Sequence, residues 1–100
     1  MLKFLKSLFD DDTSISEPGL LDGAVILDVR PPSEYRQEHL RGSKNIPISE
    51  IKSMLETIRK WKKPVITVCR SGVRSAVARS VLVAAGIEAY NGGPWTNLRN

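Results

Sequence analysis

Four short apolar runs, each rich in β-branched residues or closed by turn residues, alternate along this chain with segments of helical spacing. The run AVILDVR (24–30) is stopped by Pro31 and Pro32 and predicts a strand buried on both faces. PSEYRQEHLRG (32–42) predicts a short helix, with proline tolerated in its first turn and Gly42 ending it. KNIPI (44–48) predicts a brief strand. Ser49 is placed to cap a helix that carries Ile51, Met54, Leu55 and Ile58 on one face. PVITVC (64–69) predicts a second buried strand. From about Arg74 to Ala85 the spacing predicts a helix with Val77, Val81, Leu82 and Ala85 inward and Gly86 as its C′ terminator. IEAY (87–90) predicts a last short strand before a turn at NGG.

Strands that alternate with helices predict an α/β fold, a parallel sheet covered on both faces by helices. Active sites in such sheets lie at the carboxyl ends of the strands. Residues 1–13 read as an N-terminal extension or linker, and 14–100 as one domain. The start, MLKFLKSLFDDD, has apolar residues at 1, 2, 4, 5, 8 and 9, roughly helical spacing, but is too short to span a bilayer. It also lacks a small-residue cleavage site. Three aspartates at its end would repel anionic lipid, so residues 1–9 are expected to pack on their own domain or fray rather than contact a membrane.

Composition changes this picture little. One hundred residues, 41% of them hydrophobic, suffice for one core without staples. A single cysteine excludes an internal disulfide and fits a reducing compartment, so a cytoplasmic location is expected. The net charge of +4 is spread along the chain apart from RKWKK (59–63). Cations at a helix C-terminus complement its dipole, so no nucleic-acid partner is expected.

The one cysteine, Cys69, ends the PVITVC run and opens the loop CRSGVRS (69–75), and it is the candidate nucleophile. A thiol needs its pKa lowered to attack at neutral pH. The loop runs straight into a helix whose first-turn N–H groups are unpaired, and Gly72 permits the wrap that would aim them at sulfur. Arg70 and Arg74 add cationic charge, while Ser71 and Ser75 offer hydroxyl donors or a helix cap. His39 lies in another segment, which leaves no base-assisted hydrolysis machinery, and a lone Cys with a lone His gives no metal-ligand set. Such a cradle suits a small anion with a transferable electrophilic atom: sulfane sulfur or a phosphate ester.

Three stretches together resemble a single-domain rhodanese: ILDVRPPSEYRQEHLRGSKNIP (26–47), CRSGVRS (69–75) and YNGG (90–93). The resemblance implies a rhodanese-like parallel sheet of about five strands. It implies a sulfurtransferase acting through a Cys69 persulfide. The backbone of Arg70, Ser71, Gly72, Val73, Arg74 and Ser75 would hold the persulfide, and Arg70 and Arg74 would bind the donor's anionic end. The implied partners are small sulfur-containing anions, low-molecular-weight thiols or a protein thiol acceptor, with no cofactor and no metal. Asp28 and Arg30 are expected as structural support at the same sheet edge, and His39 as a structural residue at a helix end. The early Trp95 implies that the family's final helix is truncated or absent. Rival readings are a persulfide carrier or docking module, and a phosphatase resembling the related cysteine phosphatases. The loop of those phosphatases is one residue longer than the four positions between Cys69 and Arg74.

Overall fold

The four predicted strands form one all-parallel sheet in the order β2-β1-β3-β4, in a computed structural model that describes residues 23–98. They are β1 (Val25–Asp28), β2 (Lys44–Asn45), β3 (Val65–Cys69) and β4 (Ala89–Pro94). Three helices join them: α1 (Pro32–Gln37), α2 (Leu55–Lys60) and α3 (Val73–Ala84). The fold is the parallel α/β architecture that the alternation of strands and helices predicts. The described residues carry four strands, and the fifth that the resemblance implied is not among them. The readings of residues 1–13 as an extension or linker, and of 1–9 as a segment that packs on its own domain or frays, lie outside the described residues.

β3 occupies the middle of the sheet because all five of its residues can be buried. Side chains alternate across the sheet, so its two faces build two clusters. Leu27, Val29, Val65 and Cys69 face α2 and α3, where they meet Ile58, Ala78 and Leu82. Ile66 and Val68 face the other way, onto Leu40, Tyr90 and Trp95. By the same alternation Asp28 and Arg30 fall on the Trp95 side and Cys69 on the α3 side.

Several boundaries differ from the predicted ones, each for a local reason. α1 stops at Gln37, and Glu38 is already extended. A continued helix would bring the His39 backbone N–H to the Tyr35 carbonyl. The His39 ring instead donates Nδ1–H to that carbonyl at 2.7 Å and stacks on the Tyr35 ring at 3.8 Å. Gly42 therefore serves a later turn and does not end the helix. Ser49 caps nothing: it lies inside a 3-10 turn, Ile48–Glu50, whose N-cap is Pro47. A second turn, Lys52–Met54, precedes α2, and Ile51 and Ile58 still share the predicted buried face.

On α3 the buried positions are Ser75, Ala78 and Leu82, while Val77 is 52% exposed. Small residues at 75 and 78 let the helix sit close to β3. The helix closes as predicted at Gly86, whose N–H donates to the Val83 carbonyl while the Ile87 N–H reaches the Leu82 carbonyl. NGG proved to be strand and not turn. Thr67 pairs with Asn91 and Val68 with Gly93, so Gly92 is the extra residue of a bulge. A Cβ there would lie 2.8 Å from Ile66 Cγ2, which only glycine avoids. No helix among the described residues is long and apolar enough to cross a membrane.

Candidate active site

β3 delivers Cys69 to the carboxyl edge of the sheet with its side chain buried. The chain then has to double back into α3, and Gly72 at φ +98° makes that turn. A Cβ at Gly72 would also crowd the Gly93 backbone, 3.3 Å from its Cα. The loop closes around the sulfur: Sγ accepts the Gly72 N–H at 3.0 Å and the Ser75 N–H at 3.3 Å, with Ser75 Oγ at 3.4 Å. Burial pushes the thiol up, but the Ser75 hydroxyl and the backbone N–H groups of Ser75, Gly72 and Ser71 more than offset it. The net pKa lies below the ordinary thiol value.

The expected contribution of arginine charge to this lowering is not what the site shows; the donors carry it. Arg74 turns to Glu34 of α1 at 3.4 Å, both side chains being one-third exposed. Arg70 is exposed and lines a cleft of about 460 Å3 with Arg30, Glu34, Gln37, Glu38, Trp95 and Thr96. Of the two serines, Ser71 takes a cap-like part by accepting the Val73 N–H at 3.4 Å. Val73 itself is 69% exposed at the start of α3.

Asp28 and Arg30 form a buried ion pair. The guanidinium donates Nε to both carboxylate oxygens (2.9 and 3.0 Å) and Nη2 to one (2.8 Å). Arg30 also donates to the Glu38 carbonyl and lies 4.8 Å over the Trp95 ring. The pair thus shares the sheet edge with Cys69 but stands on its opposite face, where Arg30 lines the cleft. His39 is exposed, and its ring rests on Tyr35. No cluster of His, Cys, Asp or Glu suited to a metal ion occurs among the described residues.

Three residues of this region were given no part in the site from sequence. Trp95, in the 3-10 turn Trp95–Leu98, supplies the cleft wall where a final helix was expected to be short or missing. Glu34 reaches the loop through Arg74. Asn91 bonds the middle and the last residue of the loop, donating to the Gly72 carbonyl at 3.2 Å and accepting the Ser75 hydroxyl at 2.6 Å. Its place in the YNGG stretch was the one available signal.

The profile of the rhodanese-like domain matches residues 5–93. An uncharacterized protein, YqhL of Bacillus subtilis, is 41% identical over 69 residues, covering 68% of this chain and 54% of its own length. The thiosulfate sulfurtransferase PspE of Escherichia coli is 38% identical over 61 residues, 60% of this chain and 59% of that protein. The chain therefore spans between half and three-fifths of the length of these curated relatives. Among solved structures, a rhodanese with anions from E. coli superposes with a TM-score of 0.70 at 32% identity, covering 76% of this chain and 92% of that one. A rhodanese-like domain protein from Staphylococcus aureus gives 0.68 at 31% identity, covering 77% and 76%.

Proposed function

This chain belongs to the rhodanese-like domain family, and we propose that it is a sulfurtransferase that carries sulfane sulfur on Cys69. The observation that carries the reading is a sole cysteine at the carboxyl end of β3, its Sγ ringed by N–H donors that favour the thiolate. The thiosulfate sulfurtransferases among its relatives support the same reading.

In the first step the Sγ thiolate attacks the outer sulfur of thiosulfate. The S–S bond of the donor breaks, its electron pair leaves with sulfite, and Cys69 becomes a persulfide anion. A polysulfide or a low-molecular-weight persulfide reacts alike, with a thiolate leaving. In the second step cyanide or an acceptor thiolate attacks the outer sulfur. Thiocyanate or a new persulfide forms, and the bonding pair returns to Sγ. Backbone donors of residues 70–75 hold the anions along this path. Arg70, exposed in the cleft, is the residue we assign to the donor's anionic group. Arg74 can join it only by leaving Glu34.

The test is thiocyanate formation from thiosulfate and cyanide, with intact-mass measurement of the thiosulfate-treated protein. One added sulfur, absent in Cys69→Ser, and Cys69-dependent thiocyanate are expected. Added sulfur without thiocyanate, but with handover to a protein thiol, would make the chain a carrier. No added sulfur from any sulfane donor, or Cys69-dependent release of phosphate from an aryl ester, would overturn the proposal.

A further inference from the structure

Asn91 is oriented without ambiguity by its neighbours. Oδ1 accepts the Gly93 N–H at 2.9 Å and Nδ2 donates to the Gly72 carbonyl at 3.2 Å. A backbone N–H only donates and a carbonyl only accepts, so these contacts fix which end of the amide is oxygen. Ser75 Oγ lies 2.6 Å from that oxygen and must donate to it. The hydroxyl has a single proton. With that proton committed to Asn91, the Cys69 thiol points its own proton at Ser75 Oγ, 3.4 Å away. The resting chain therefore runs from thiol to hydroxyl to amide oxygen.

A thiolate breaks this order. It has no proton to give and draws the Ser75 proton toward itself, leaving Oδ1 with the Gly93 N–H alone. We propose that Asn91 is a positioning residue that competes with the Cys69 sulfur for the one Ser75 hydroxyl proton, restraining the thiolate of the empty protein and favouring the sulfur-loaded one. The second half rests on the sulfurtransferase reading. When thiosulfate loads the protein, Sγ bonds the sulfane sulfur and sulfite departs with the electron pair. The negative charge moves to the outer sulfur, and the inner one becomes a weak acceptor. The Ser75 hydroxyl then turns back to Asn91; its proton changes partner without leaving oxygen.

Ser75 itself does not depend on Asn91 for its place, because Thr67 Oγ1 donates to its backbone carbonyl at 2.8 Å. The charged groups around the loop are Arg70, the Arg74–Glu34 pair of α3 and α1, and the Asp28–Arg30 pair at the end of β1. From the β4 side they are Glu88 and Arg79, near that strand's opposite end. All stay unchanged in the variants below.

The experiment is a pH titration of the thiolate ultraviolet absorbance, with Cys69→Ser subtracted, in wild type, Asn91→Ala, Asn91→Asp and each of these combined with Ser75→Ala. Freeing one hydrogen bond for sulfur should lower the Cys69 pKa in Asn91→Ala by about 0.4 to about 1 unit. Asn91→Asp, a stronger acceptor with a negative charge, should raise it. Both variants lose the bond to the Gly72 carbonyl, and the aspartate charge also repels the thiolate directly, so the part of each shift that runs through the hydroxyl is read against the Ser75→Ala background. The Asn91→Ala shift should also vanish when Ser75 is alanine. Shifts of one sign, or an Asn91→Ala effect that survives without the hydroxyl, overturn the proposal. At a fixed ratio of thiosulfate to sulfite, Asn91→Ala should hold less persulfide by intact mass, and an unchanged fraction overturns the second half. The titration needs no sulfur donor, so its failure is distinct from a failure of sulfur uptake.

Discussion

Removing the Asp28 carboxylate tests whether Arg30, in the lining of the cleft, is held by charge pairing. Asp28 is fully buried and Arg30 is 4% exposed. In Asp28→Ala the guanidinium keeps the Glu38 carbonyl at 2.8 Å and the Trp95 face at 4.8 Å, but loses every bond to the carboxylate. The Arg30 backbone N–H, which donates to Oδ1 at 3.0 Å, loses its acceptor as well. A buried charge stripped of its partner costs about 3–5 kcal/mol, and the orphaned N–H adds about 1 kcal/mol or more. Against a total stability of about 5–15 kcal/mol, that is a large share. Arg30→Met should cost a similar amount, because it strands the carboxylate while keeping a side chain against Trp95. Removing both charges, as Asp28→Ala with Arg30→Met, should cost less than Asp28→Ala alone, since no uncompensated ion remains. Urea denaturation of the four proteins, followed by tryptophan fluorescence, gives the coupling energy directly. A loss below about 1 kcal/mol for Asp28→Ala, or single effects that simply add, would refute the reasoning.

Three further outcomes follow from the loop and the bulge. Gly72→Ala places a side chain at φ +98° and against Gly93, which should cost about 1–3 kcal/mol and raise the Cys69 pKa as the Gly72 N–H moves off sulfur. Denaturation and thiolate titration read the two effects, and an unmoved titration would contradict the role given to that donor. Gly92→Ala should lose about 1–3 kcal/mol or more, because its Cβ meets Ile66, Val68 and the Thr67 carbonyl from β3 with no space to yield. A neutral effect in urea would mean that β4 can shift freely. Finally, the folded thiol pKa lies below the unfolded one, so the thiolate contributes stability that is present above the ordinary value near 9.0 and is lost as pH falls through the folded pKa. Wild type should therefore gain on Cys69→Ser as pH rises through the range below 9.0, and a difference independent of pH would contradict it.

The strand pattern was readable because burial on both faces leaves a nearly continuous apolar run, as VITVC shows. Helix ends and β4 were less readable, since side chains from elsewhere decide them. His39 stops α1 by taking a backbone carbonyl, and Gly92 turns an apparent turn sequence into a bulge because β3 lies against it. On α3 the spacing pointed to Val77, whereas the close approach to β3 selects the smaller Ser75 and Ala78. At the site, Cys69 and Gly72 announce themselves through local chemistry. Asn91 and Trp95 do not, because each matters only through what the fold brings beside it: the Ser75 hydroxyl and the Arg30 guanidinium.

That division bears on how the site handles charge. Read from the sequence, Arg70 and Arg74 are two cations next to a thiolate. In the fold Arg74 faces Glu34 and Arg30 faces Asp28, so two of the three arginines near this edge already have carboxylate partners. What remains directed at sulfur is a pair of short-range dipoles, the Gly72 and Ser75 N–H groups, which the Ser75 hydroxyl joins only when sulfur is a thiolate. Dipoles fixed at about 3 Å act on the atom they touch and are little screened by salt, unlike exposed charges. A cradle of this kind favours negative charge on one sulfur without drawing every anion in solution toward it. Arg70, the third of these arginines, is exposed and lines the cleft. On the function proposed above, activation of the nucleophile would fall to the N–H donors at Sγ, and recognition of the donor's anionic group to Arg70, the next residue along the chain.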